Sequence, residues 1–431
     1  MKNKKEKADL VIKNASQLLT CSGDAPYSLG VINNGWLAAK GGIITVVGRE
    51  DEILSNADIS GARVVDATGK VVAPGFVDCH THLVFAGSRV DEYAARMTID
   101  DVETLHKMGI KTGIMATADV TREASEDMLF FRAAARLREM IKHGTTTVES
   151  KSGYGLTTKD EIKILKVNGY LNQKYPIDVI STFLGAHMCP SDIERGEYLR
   201  ILIHEMIPLI SRQGLARFCD VWCENIAFTV DECEHVLRSG VDHGMIPRLH
   251  TDQYSYLGGS DLAASIRASS ADHLNYTPKA AVKKMAATGV IGVLLPGIDF
   301  AGRSLRPFNA RMFIEEGLIV ALATNLCPGG WTISMQLVMA LACRINRMSP
   351  EEAIWAATCG GAKALRLDGD RGALEAGKLA DIQIWDVDVY QDAIYRLGGN
   401  VVDKVFKRGE QIYENIETMG RTAGDMEYVI H

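Results

Sequence analysis

No run of about 20 apolar residues occurs in the 431-residue sequence, so a membrane-spanning helix is not expected. The amino-terminal stretch MKNKKEKADLVIKN is charged and lacks the apolar segment of a secretory leader, which leads us to expect a cytoplasmic protein. No basic block and no interleaving of basic with aromatic residues is present, and the formal net charge of -7 disfavours a nucleic-acid footprint. The expected partner is a small molecule. The nine cysteines, an odd number, are scattered through apolar segments and fit a reducing compartment better than a disulfide framework. Cys219 and Cys223, in CDVWC, lack the second pair of a zinc ribbon and read as packing residues. No GxGxxG follows the first core strand, which argues against a dinucleotide fold, and no internal repeat or low-complexity linker interrupts the chain.

What is present is an ordinary globular composition, 47% apolar and 23% charged, on a chain long enough for one large domain and a smaller one. The first 70 residues alternate short β-like runs with turns (ADLVIKN, GWLAAK, GIITVVG, ARVVDATGKVVAPG), and the last part of the chain does the same (KLADIQIWD, VVDKVFKRG, EQIYEN). These ends, residues 1–70 and 373–431, are expected to form one composite β-sandwich domain. Between them, residues 71–372 alternate apolar runs with long helical stretches such as SEDMLFFRAAARLREMIKHG. Eight strand candidates can be counted there: APGFVDCHTH, TTTVESKSGYG, DVISTFLGAH, ARFCDVWCE, IPRLHTD, ASSADHL, VIGVLLPG and IVALATN. Eight β-runs alternating with helices predict an α/β fold, a (β/α)₈ TIM-like barrel.

In such a barrel the active site forms at the carboxyl ends of the strands. The polar residues ending these runs are His80 and His82, Tyr154, His187, Glu224, His250, His273 and Asn325. Five of the chain's 11 histidines fall there, far more than chance would place. His80 and His82 are the sharpest pair, because residues two apart on a strand point to one side and both imidazoles can reach one metal ion.

PGFVDCHTH, SADHL and GALEAGKLADIQIWD resemble the amidohydrolase superfamily. HLVFAGSR, ESKSGYGL, STFLGAH and VLLPG resemble, more closely, its imidazolonepropionase family, and the likeness runs over nearly the whole chain. The resemblance implies a metal-assisted hydrolase that opens a five-membered imidazolone ring, and a homodimer. It implies His80, His82 and His250 as ligands of Zn²⁺ or Fe²⁺, and His273 as a base or a polariser of the attacked carbonyl. Arg89 would clamp the substrate's propionate, with Tyr154 and His187 lining the ring pocket.

The sequence departs from that family at the catalytic centre. Where the family has His-Ala-Asp-Glu, this chain has His250-Thr251-Asp252-Gln253, and where the family has Ala-Thr-Asp it has Ala323-Thr324-Asn325. An asparagine can offer a metal a neutral oxygen but cannot take up a proton near neutral pH, so Asn325 is expected to be a weak or absent fourth ligand. Gln253 keeps a glutamate's hydrogen bonding without its proton transfer. Cys327 stands where the family has an asparagine near the substrate carboxylate. These changes suggest a ring-opening hydrolase for an analogue of imidazolonepropionate, such as a 2-thio or S-methylthio derivative. The alternatives are an ordinary member of the family and a catalytically silent binder of an imidazolone acid. Two mechanisms are open, one with the three histidines on a metal and His273 as base, the other metal-free with acid-base histidines and Cys327 as nucleophile.

Overall fold

A computed structural model describes residues 5–23, 25–304 and 306–416. Its centre is an eight-stranded parallel sheet. In chain order these strands are β1 (Phe76–Asp78), β2 (Thr145–Lys151), β3 (Asp178–Ala186), β4 (Phe218–Cys223), β5 (Ile246–Thr251), β6 (Ser270–His273), β7 (Ile291–Leu294) and β8 (Val320–Leu322). Each coincides with one of the eight runs counted in the sequence, and helices lie between most of them. The strands are nearly all buried, with apolar residues facing the helices, as a sheet covered on its outer side requires. This is the (β/α)₈ barrel expected.

The barrel closes just beyond the ends of β1 and β8. The Asn325 amide donates to the His80 carbonyl at 3.0 Å and the His82 amide to the Leu326 carbonyl at 2.8 Å, with Thr81 and Leu326 forming a parallel bridge. Below the same seam, two glycines let a helical segment press against the strands. A Cβ on Gly361 would stand 2.2 Å from the Val77 carbonyl oxygen, and one on Gly360 would stand 2.5 Å from that of Val320. Only hydrogen fits at either point, which accounts for the GG pair in AATCGGAKAL, just where a π-helical turn, Ala356–Gly360, ends.

The chain ends build a second, mixed sheet, also of eight strands. Ile382–Trp385 from the carboxyl-terminal part pairs antiparallel with Val71–Pro74 from the amino-terminal part, so the two halves share one ladder. Leu10, Ile12, Leu37, Ile44, Val72, Ile382, Ile384 and Phe406 fill its core. It is joined to the barrel by ions. Asp178, at the start of β3, receives Lys407, Arg371 and Arg408 at 2.8, 2.6 and 2.9 Å. No helix among the described residues is long and apolar enough to cross a membrane.

Candidate active site

Every strand-end residue singled out in the sequence lies at the carboxyl end of the barrel. His250 is the last but one residue of β5 and His273 the last of β6, while Tyr154, His187, Glu224 and Asn325 follow β2, β3, β4 and β8. β1 ends at Asp78, four residues earlier than the run APGFVDCHTH suggests, so His80 and His82 sit on the bridged extension that closes the barrel. They still share a side. The ligand atoms of His80, His82 and His250 lie within 4.8 Å of one another.

The rings form one cluster. His80 and His250 have centroids 4.4 Å apart, and His273 lies 5.6 Å from His80 and 5.4 Å from His250. His187 stacks on His82 at 5.0 Å, with Tyr154 5.5 Å from both. All are buried, His80 at 0% and the outermost, His187, at only 6% exposed. Burial, with the neighbouring imidazoles and Lys151 adding to it, pushes His80, His82 and His273 well below the usual histidine value, and His187 to about 3. Neutral imidazoles are what a divalent metal needs as ligands.

Among the described residues, His80 Nε2, His82 Nδ1, His250 Nε2, His273 Nδ1 and Asn325 Oδ1 are buried polar atoms without a hydrogen-bond partner. Unsatisfied buried nitrogens and oxygens cost about 1–3 kcal/mol each, so the four ring nitrogens in one cluster call for a shared polar occupant. The other nitrogens of two of these rings are committed. His80 Nδ1 donates to Asp272 Oδ2 at 2.6 Å, and His250 Nδ1 to Asp220 Oδ1 at 3.1 Å. Each carboxylate fixes the tautomer that leaves Nε2 as a lone-pair donor toward the cluster. The residues therefore fit a metal ion held by three histidines.

Sequence reasoning missed what lies beneath. Lys151 Nζ sits 2.9 Å from Glu149 Oε1, 2.8 Å from Asp220 Oδ2 and 3.8 Å from Asp272 Oδ2. Arg248 Nη2 donates to Asp272 Oδ2 at 3.1 Å and to the Cys79 carbonyl at 2.8 Å. All five side chains are at 0% exposure. The available signal was charge in otherwise apolar barrel strands, since Glu149, Lys151, Asp220, Arg248 and Asp272 all interrupt runs that should be buried on both faces.

Asn325 adopts a left-handed conformation, φ +48°, which asparagine tolerates better than most residues. Its neighbour Thr324 donates through N and Oγ1 to Asp78 at 3.1 and 2.6 Å, pinning the end of β8 to β1. Gln253 is half-buried, and its amide donates to the Tyr254 hydroxyl at 3.1 Å. Glu224 anchors a loop, accepting from the amides of Asn225, Tyr254 and Ser255 and from the Ser255 hydroxyl. Arg89 directs Nε and Nη2 at Glu92, at 2.6 and 2.7 Å, while its Nη1 lies against the Cys327–Gly330 turn, 3.0 Å from where a Gly329 Cβ would be. The structure thus brings Arg89 and Cys327 together. Burial pushes the Cys327 thiol up, the opposite of what a thiolate nucleophile requires. Cys219 and Cys223 are buried free thiols, as packing residues should be.

A parallel eight-stranded barrel with a histidine cluster at its carboxyl end defines an amidohydrolase, and the comparisons agree. Amidohydrolase family models match residues 63–131 and 250–412. Solved structures of like fold include an adenosine deaminase from Xanthomonas campestris with bound zinc (TM-score 0.68, 18% identity, 95% of this chain and 93% of that one). Another is atrazine chlorohydrolase from Arthrobacter aurescens TC1 complexed with zinc (0.70, 19%, 94% and 95%). Imidazolonepropionase of Geobacillus thermodenitrificans (strain NG80-2) is 44% identical over 93% of this chain and 97% of its own length, and that of Parabacteroides distasonis is 38% identical over 94% and 99%. The chain belongs to the imidazolonepropionase family. It is a hydrolase of non-peptide C–N bonds in cyclic amides and acts on a small molecule.

Proposed function

We propose that this chain hydrolyses the ring of an imidazolone bearing a short carboxylate side chain, imidazolonepropionate being the first member of that class to test. The observation that carries the reading is the set of buried, unpartnered ring nitrogens of His80, His82 and His250, on a chain whose relatives are imidazolonepropionases. His80, His82 and His250 would hold Zn²⁺ or Fe²⁺, with Asn325 Oδ1 as a neutral fourth donor. A bound metal supplies Lewis-acid polarisation and a more acidic water.

The chain's own residues do the rest. Arg89 pairs with the side-chain carboxylate through the guanidinium face that Glu92 leaves free. His187 donates Nδ1–H to the Gly153 carbonyl at 2.9 Å, so Nε2 is left as an acceptor for a ring N–H. Tyr154, its phenol held neutral by burial, is a hydroxyl donor beside it. His273, with Nδ1 unpartnered, accepts the proton of the attacking water in place of the carboxylate that Asn325 lacks. Gln253 keeps an amide at the mouth of the site. A homodimer is the assembly that family membership supports.

A second reading, a ring carrying a 2-thio or S-methylthio group, is favoured by the neutral Oδ1 of Asn325 in a buried site, since a better leaving amidine lessens the need for a carboxylate base. Both readings are tested by offering the purified protein imidazolonepropionate and its 2-thio and S-methylthio derivatives, following loss of ring absorbance and measuring zinc and iron per chain. Turnover of the parent ring with about one metal equivalent supports the first reading, and turnover confined to a substituted ring supports the second. Saturable binding with no ring opening of any of the three defeats both and leaves a silent binder.

A further inference from the structure

We infer that Lys151 is a positioning residue for the metal site, a single buried cation that sets the grip of two of its three histidines. The inference rests on the three-histidine metal reading above. Lys151 touches no ring itself. Its ammonium lies 2.8 Å from one oxygen of Asp220, whose other oxygen receives His250 Nδ1, and 3.8 Å from the oxygen of Asp272 that receives His80 Nδ1. His80 follows β1 and His250 belongs to β5, so Lys151 of β2 joins ligands from distant parts of the sheet through one charge.

The neighbours are arranged to keep it there. Glu149 Oε1 fixes the ammonium at 2.9 Å, and Glu149 Oε2 accepts the Thr81 amide at 3.1 Å, between the two histidines of the HTH segment. Arg248 Nη2 donates to that same oxygen of Asp272, Oδ2, at 3.1 Å, and Ser270 Oγ donates to the other, Oδ1, at 2.6 Å. With its oxygens engaged from several sides, each carboxylate has one orientation, and so has the ring it holds. Glu149 and Lys151 are two apart on β2, as are Arg248 and His250 on β5, so the cluster is a layer of inward-facing side chains directly beneath the histidines.

Carboxylates that hold the far nitrogen of a ligand imidazole contribute about 10- to 100-fold in metal affinity. Lys151 orients two of them, so its effect should reach the metal without any contact to it. The test is Co²⁺ binding to metal-stripped protein, read by visible absorption and by chelator competition, in wild type, K151M, D220N and K151M/D220N. The inference expects K151M to bind Co²⁺ about tenfold or more weakly, with shifted absorption bands, and the double variant to be little weaker than the worse single one. A folded K151M with wild-type affinity and spectrum overturns it, even if its melting temperature has dropped, because that is the signature of a purely structural lysine. Removing one partner of a buried ion pair can prevent folding. In that event K151M/D220N, which removes one charge of each sign, takes its place, and unchanged Co²⁺ binding there overturns the inference. Failure of the wild type to bind Co²⁺ overturns the metal reading itself, and this inference with it.

Discussion

The backbone amide of Asn325 donates to the carbonyl of His80 at 3.0 Å, so the residue after β8 helps to hold the first histidine in place. Asn325→Asp keeps that bond and a side chain that tolerates positive φ, so the fold should be unaffected. The added charge should raise affinity for Zn²⁺ by about tenfold or more, equivalent to roughly 1.4 kcal/mol. Chelator competition measures this directly. An unchanged affinity would mean that position 325 does not face the metal.

Arg89→Lys should raise KM for imidazolonepropionate about tenfold with kcat little altered, because an ammonium cannot reproduce a planar two-point pairing with a carboxylate. The same variant should bind an imidazolone without the side-chain acid as the wild type does. Steady-state kinetics on the two compounds separates a carboxylate clamp from a general loss of the pocket.

The Cys327 thiol is buried and pushed up, so it should resist a thiol reagent at pH 8 in the folded protein and react once the protein is denatured. Cys327→Ser should keep activity within a few-fold. Loss of activity by orders of magnitude in that variant would restore the nucleophile that burial argues against.

Asp178 ties the barrel to the sheet of the chain ends. Burial alone would push its carboxyl up, but Lys407, Arg371 and Arg408 hold it down, from 3.8 to about 2. Its folded value is depressed, so the stabilisation is present above the unfolded value of 3.8 and is lost as the pH falls through that value toward 2. It amounts to about 2 kcal/mol. Asp178→Asn should therefore lower stability to urea at pH 7 by about that amount, and the difference between variant and wild type should close at acid pH.

The barrel was legible from alternation and length, and the strand-end histidines from their number, because both depend on local pattern. The composite sheet was legible because strand-like runs sit at both ends of the chain. The tie between Lys151 and the carboxylates was not, since a charge inside a strand run signals burial but not its partners, and Asp220 and Asp272 become neighbours of Lys151 only through strand register. The exact end of β1 was also hidden, because the seam that converts His80–His82 from strand to bridge needs Leu326, a partner from the far end of the barrel. The bidentate attachment of Arg89 to Glu92, one helical turn on, went unread, although the i, i+3 spacing was there to suggest it.

The seam has a consequence for biosynthesis. The last contacts to close the barrel are made by the residues that carry the chemistry, and they come from opposite ends of the barrel sequence. Contacts between such distant residues form late and slowly. A chain still emerging from the ribosome has His80 and His82 but cannot align them until Asn325 and Leu326 have been made, so this catalyst should gain its metal-binding geometry and its finished fold in one event, with no active fragment along the way.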